Sequence, residues 1–223
     1  MKEKTSTLWS RYSHVGYALI FVLYLLVYIL AESLITGEDA YWATQIPALD
    51  ALIPFCEWFV IPYVLWYPAM AVLAVYLIFR DPDGFRKYAG FLGTSMLVAI
   101  LFCLVVPNGQ DLRPAAFERD NFLTQLVGSL YATDTNTNVI PSTHVVGSIG
   151  IAFGVFTCDT LRSKWVRVPT LLFVTAVCLA TVFIKQHAVL DLLVALPYSA
   201  LFYVIWYVWY PKVLARRRER KNA

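Results

Sequence analysis

Residues 168–210 decide the fold: VPTLLFVTAVCLATVFI (168–184), then KQHAVLD (185–191), then LLVALPYSALFYVIWYVWY (192–210). The flanking runs hold 17 and 19 residues and no charge, close to the roughly 20 apolar residues that a helix needs to cross about 30 Å of hydrocarbon. Between them stand only Lys185-Gln186-His187 and the first turn of the second helix. Two membrane helices therefore meet in a tight hairpin whose turn carries Lys185, His187 and Asp191. Ionisable groups at such a place are expensive, and by default they mark function.

Four further runs of the same kind precede this hairpin: Val15–Ala31, Trp58–Phe79, Tyr88–Val106 and Val139–Cys158. Together they account for a chain of 223 residues that is 59% hydrophobic and 15% charged, where a soluble domain usually carries about a quarter charged residues. The expected fold class is all-α, a single polytopic domain over 1–223 with six transmembrane helices. The first run exceeds a signal-peptide core, and no small-residue cleavage site follows Ala31, so it reads as a retained span.

Charge orients the spans. With the N-terminus inside, the inner segments hold Lys2, Lys4, Arg11, Arg80, Arg86, Lys87, Arg162, Lys164, Arg167, Lys212, Arg216, Arg217, Arg218, Arg220 and Lys221, which is 15 of the 18 basic residues. The outer segments hold only Arg113, Arg119 and Lys185. This split predicts N-in, C-in topology in a plasma membrane. Beside a membrane helix, the basic tail Arg216–Lys221 reads as an anchor on anionic lipid, with no nucleic acid as partner. Many aromatic residues, Tyr41, Trp42, Trp58, Trp165 and Trp209 among them, fall near span ends as an interfacial belt does. The stretch Tyr41–Phe55 is expected to lie along the interface, and Ala115–Tyr131 to form an amphipathic surface helix. The four cysteines lack metal-like spacing and read as small apolar fillers.

Two of the three histidines fall at the outer level. His187 and Asp191 are four residues apart, which stacks them on one helix face. Asp191 can then accept the Nδ1–H of the imidazole and leave Nε2 free as nucleophile or base. Pro141-Ser142-Thr143-His144 opens the fourth span, where proline suits a first turn and free N–H groups attract anions. Arg113-Pro114 sits in the long outer loop, and arginine is a natural ligand for phosphate oxygens.

Arg113-Pro114, Pro141-Ser142-Thr143-His144 and His187-x3-Asp191 resemble, in order, the three motifs of the type 2 phosphatidic acid phosphatase superfamily. That family's patterns are Lys-x6-Arg-Pro, Pro-Ser-Gly-His and Ser-Arg-x5-His-x3-Asp. Val106 stands at the lysine of the first, Thr143 at the glycine of the second, and Ala180-Thr181 at the Ser-Arg of the third. These reduced motifs are similar to those of the branch with inositol-phosphorylceramide and sphingomyelin synthases, which move a phospho-headgroup between lipids.

The resemblance implies a lipid phosphatase that needs no cofactor and no metal and draws its lipid phosphate from the outer leaflet. His187 would be the nucleophile that becomes phosphohistidine, Asp191 its orienting partner, and His144 the acid and then the base. Arg113, Lys185, Ser142 and the Thr143 backbone would hold the phosphoryl oxygens, with Lys185 substituting for the missing cations. Phospho-headgroup transfer is the alternative implied by the second branch. A lipid transporter would need broken helices or repeats, and a zinc hydrolase would need a His-x3-His or similar ligand pair; the sequence has neither.

Overall fold

The computed structural model describes residues 12–35 and 42–222, with only the backbone of Arg217, Arg218, Lys221 and Asn222. Tyr41 and the basic residues Lys2, Lys4 and Arg11 lie outside the described residues. Among the described residues six apolar helices run up and down: α1 (Ser13–Leu34), α2 (Glu57–Arg80), α3 (Pro82–Val105), α5 (Thr143–Thr157), α6 (Lys164–Phe183) and α7 (Val189–Arg216). A shorter helix, α4 (Phe122–Thr133), lies in the long loop before α5. Five of the six are long and apolar enough to cross a membrane, and α5 is apolar but has 15 residues. The chain is an all-α polytopic membrane protein.

Side-chain contacts fix two ends. At one end His14 Nε2 meets the Ile78 carbonyl at 3.1 Å, Tyr76 Oη donates to Thr160 Oγ1 at 2.9 Å, and the hydroxyls of Tyr17 and Tyr210 lie 2.9 Å apart. The start of α1 and the end of α7 thus share one end, as an even number of crossings requires. The other end gathers the close of α1, α3 and α6 with the start of α2, α5 and α7.

Helix α5 is the hub. Its residues His144 to Val146, Gly147, Gly150 and Gly154 are all buried. A Cβ on Gly147 would stand 2.4 Å from Cζ2 of Trp66, and one on Gly150 2.7 Å from Cδ2 of Leu92. Small residues let apolar helices approach closely where no hydrophobic gain separates protein from lipid. Trp66 can therefore seat one turn beyond His144.

Several boundaries differ from the sequence reading. The third span begins at Pro82, not Tyr88, because Asp81 caps it by accepting from Gly84 N at 2.8 Å and Pro82 opens the turn. The expected inner loop 80–87 is thus almost wholly helical. The fourth span, α5, begins at Thr143, not Val139. Asn108 Oδ1 accepts from both Val139 N at 2.9 Å and Ile140 N at 3.0 Å, which holds that approach extended. Pro141 consequently precedes the cap residue Ser142 and lies outside the first turn.

The surface helix starts at Phe122, not Ala115. Asn121 caps it, and Glu57, itself buried, ties Arg119 and Asn121 to the start of α2 at 3.1 and 3.3 Å. Val127 of α4 packs on Val60, Tyr63, Ala180 and Ile184, whereas Phe122 is 75% exposed. The described part of 41–55 holds no helix long enough to cross a membrane. It pairs Trp42-Ala43 with Asn108-Gly109 and makes one helical turn at Pro47–Asp50 over the α6–α7 hairpin. Helix α7 runs on as helix to Asn222, past the expected end at Tyr210.

Candidate active site

The hairpin is built as its sequence spacing implies. Lys185 takes a left-handed φ of 55°, and the N–H groups of Gln186 and His187 both donate to the Thr181 carbonyl at 3.0 Å. That turn delivers His187 to the start of α7. Its Nδ1 lies 3.3 Å from Asp191 Oδ2, an oxygen that also accepts from Ala188 N at 2.9 Å. Asp191 is fully buried, and its backbone carbonyl accepts from Ser142 N at 3.3 Å, so the same residue that holds the imidazole also joins the hairpin to α5 through its main chain. With Nδ1–H held by a carboxylate, His187 keeps its lone pair on Nε2.

His144 is held by a longer chain. Its Nδ1 lies 3.2 Å from Tyr63 Oη, and Tyr63 Oη lies 3.2 Å from Asp134 Oδ2. A carboxylate only accepts, so the single hydroxyl proton goes to Asp134 and the Tyr63 oxygen accepts from Nδ1–H of His144. Nε2 of His144 is buried and has no partner. The His144 ring stacks on Tyr63 at 4.1 Å between centroids, tilts against Trp66 at 4.4 Å, and stands 6.0 Å from the His187 ring. Two imidazoles from different helices thus meet edge-on, with 61° between their planes, and Nε2 of His144 is left unbonded.

Both line a cavity of about 420 Å³. Helices α1 and α2 do not pack closely, and each packs on α3. The cavity fills the gap, running from Glu32, Asp134, His144 and His187 down to Met70, Phe85 and Tyr88. Its upper end is acidic. Asp134 accepts from Tyr28 Oη at 3.0 Å and Gln186 Nε2 at 2.9 Å. Glu32 accepts from Thr135 Oγ1 at 2.6 Å and Asn138 Nδ2 at 2.9 Å.

The other expected site residues are placed differently. Thr143 lines the cavity, but Ser142 is fully buried with Oγ accepting from Val145 N at 3.4 Å. Arg113 does not line the cavity. It donates to the carbonyls of Tyr131 at 3.1 Å and Asp134 at 2.6 Å and to Gln186 Oε1 at 2.6 Å, and it lies 4.4 Å over the Tyr131 ring. It staples the end of α4 to the hairpin; burial lowers its pKa and the Asp134 charge opposes that. Lys185 does not line the cavity either. Its ammonium donates to the carbonyls of Ile53 at 2.5 Å and Asp50 at 3.1 Å, and burial lowers its pKa against the Asp50 charge.

Tyr63, Asp134 and Glu32 were not singled out as site residues from the sequence. The signal for the two acids was present: Glu32 ends an apolar run, and Asp134 stands eight residues before Ser142 in the motif that opens the fourth span. Among the described residues no cluster of three or more His, Cys, Asp or Glu side chains is placed to hold a metal ion. No family model, curated protein or solved structure matches this chain.

Proposed function

We propose that this chain is an integral membrane enzyme that cleaves a lipid phosphate ester by way of a phosphohistidine on His187. One arrangement supports the reading. Two histidines, each oriented through Nδ1 and unbonded at Nε2, stand across the polar end of a cavity whose remaining length is apolar.

In the first step the His187 Nε2 lone pair attacks phosphorus and the bond to the lipid alkoxide breaks. His144, as imidazolium, gives its Nε2 proton to that oxygen. In the second step neutral His144 takes a proton from water, the water oxygen attacks phosphorus, and the N–P bond breaks to restore His187. Asp191 keeps the Nδ1 proton and offsets the charge that the ring gains. The N–H groups of Thr143 and His144, which open α5 ahead of the Val145 N–H that Ser142 caps, are available to phosphoryl oxygens. The lipid reaches the histidines through the gap between α1 and α2. On this reading the site faces the extracytoplasmic side of a plasma membrane, since the basic segments belong to the opposite end.

A second reading is headgroup transfer, with a lipid hydroxyl in place of water. It is favoured by the placement of Arg113 and Lys185, whose cationic groups bind carbonyls outside the cavity and leave a dianionic monoester without a lysine or arginine there. Purified protein assayed on phosphate monoesters, diphosphates and phosphodiesters, for free phosphate and for new lipids, separates the two. Activity that survives in His187→Ala, or no reaction with any lipid, contradicts both.

A further inference from the structure

We infer that the acidic end of the cavity is a binding subsite for the cationic nitrogen of a zwitterionic phospholipid headgroup, choline or ethanolamine, held between Glu32 and Asp134. The inference rests on the proposed phosphoryl-transfer site only for what the phosphate does, and the subsite itself is read from charge and shape.

Glu32 and Asp134 receive hydrogen bonds from neutral donors alone, namely hydroxyl, amide and backbone N–H groups. No lysine or arginine pairs with either one among the described residues, where the ion pairs are Arg86–Asp83, Arg119–Glu57, Arg162–Asp159 and His187–Asp191. Two carboxylates that share a cavity with a low-dielectric floor are costly unless positive charge joins them. Arg113, the nearest guanidinium by its bonds, donates to the carbonyls of Tyr131 and Asp134 and to Gln186 Oε1, and to neither carboxylate. The walls carry Tyr24, Tyr28, Trp66 and Tyr67, and aromatic faces attract ammonium and trimethylammonium groups.

A second observation points to a ligand in the same cavity. His144, 6% exposed, lines it and carries a buried Nε2 with no partner. A phosphodiester beside His144 and His187 would put a headgroup nitrogen within a few bonds of the phosphorus, toward the carboxylates. The ligand then brings both the anion that the histidines and helix start attract and a cation to pair directly with the acids, which Arg113 reaches only through space. A phosphate monoester brings only the first and meets the acids as a like charge. Phosphatidylglycerol, with a neutral headgroup, lacks the cation as well.

The test is binding, read separately from turnover. Dihexanoyl phosphatidylcholine, phosphatidylethanolamine, phosphatidylglycerol and phosphatidate are titrated into the purified full chain in maltoside detergent, with soluble glycerophosphocholine as a fifth arm. The choline and ethanolamine lipids should bind about tenfold or more tighter than the other two. Glu32→Gln should erase most of that preference, and Glu32→Asp should retain part of it. Glycerophosphocholine should bind more weakly than its lipid, because the cavity floor is apolar.

Equal affinity for all four lipids overturns the subsite, and so does a Glu32→Gln loss that is equal for every headgroup. Soluble glycerophosphocholine binding as tightly as the lipid overturns the lipid assignment. If Glu32→Gln fails to fold, the wild-type headgroup preference alone decides. Selective binding without turnover would sink the enzymatic reading and keep the subsite. Turnover without headgroup selectivity would do the reverse.

Discussion

His187 and His144 face one cavity but are held by opposite kinds of structure. His187 is positioned locally: its carboxylate partner is four residues away on the same helix, and the turn before it closes on Thr181. His144 is positioned globally: its ring is fixed by Tyr63 from α2 and, beyond that, by Asp134 from the loop ahead of α5. The first device survives as long as one hairpin folds. The second needs α2, α5 and the 107–142 loop assembled. On the proposed mechanism the nucleophile, which tolerates little misplacement, is built on the most local frame, whereas the residue assigned to proton transfer reports whether the whole end has formed.

The largest expected effect falls on the local side. His187→Ala should abolish turnover of every lipid while the protein still extracts and melts as a folded bundle. Full activity there would move the nucleophile elsewhere. Asp191→Asn comes next: a hydrogen bond to a charged group contributes roughly 1.5–3 kcal/mol, so kcat/KM should fall about 10- to 150-fold. A loss in Asp191→Asn that appears only as a lower melting temperature would reduce Asp191 to a structural cap.

Tyr63→Phe sharpens the contrast. It removes a neutral hydrogen bond, which contributes about 0.5–1.5 kcal/mol, so a loss of up to about tenfold is expected. The loss should be greater with alkyl than with aryl leaving groups, because an aryl oxide needs less help from a proton donor. Equal losses would mean that Tyr63 packs the ring and does not orient its proton. The smallest effect on turnover belongs to Lys185→Gln. With Nζ bound to the Asp50 and Ile53 carbonyls, kcat/KM should change by less than about threefold while stability falls by roughly 1–3 kcal/mol. A tenfold loss of kcat/KM at unchanged stability would return Lys185 to the phosphate.

The same local-versus-global division governs what could be read from the sequence. Uncharged runs of membrane length gave the helices, because a bilayer admits few alternatives. Boundaries failed where one side chain decides them: Asp81 starting α3 early, and Asn108 holding residues 139–142 extended. In the site, the four-residue spacing of His187 and Asp191 was legible. Tyr63 and Asp134 were not, since they lie 81 and 10 residues from His144 and meet it only through packing. Arg113 and Lys185 were placed in the site by motif position. Sequence gives that position but not the direction of a long side chain, and both direct their charge at backbone carbonyls.

The central claim is tested most directly by the chemistry of His187. Wild-type protein and His144→Ala are incubated with an aryl phosphate or a lipid carrying labelled phosphorus, quenched in alkali to preserve phosphohistidine, digested, and mapped by mass spectrometry. The account predicts a phosphoryl group on His187 that accumulates in His144→Ala, where the second step lacks its base, and none in His187→Ala. A label on His144, or rapid turnover with no adduct in any variant, would contradict it.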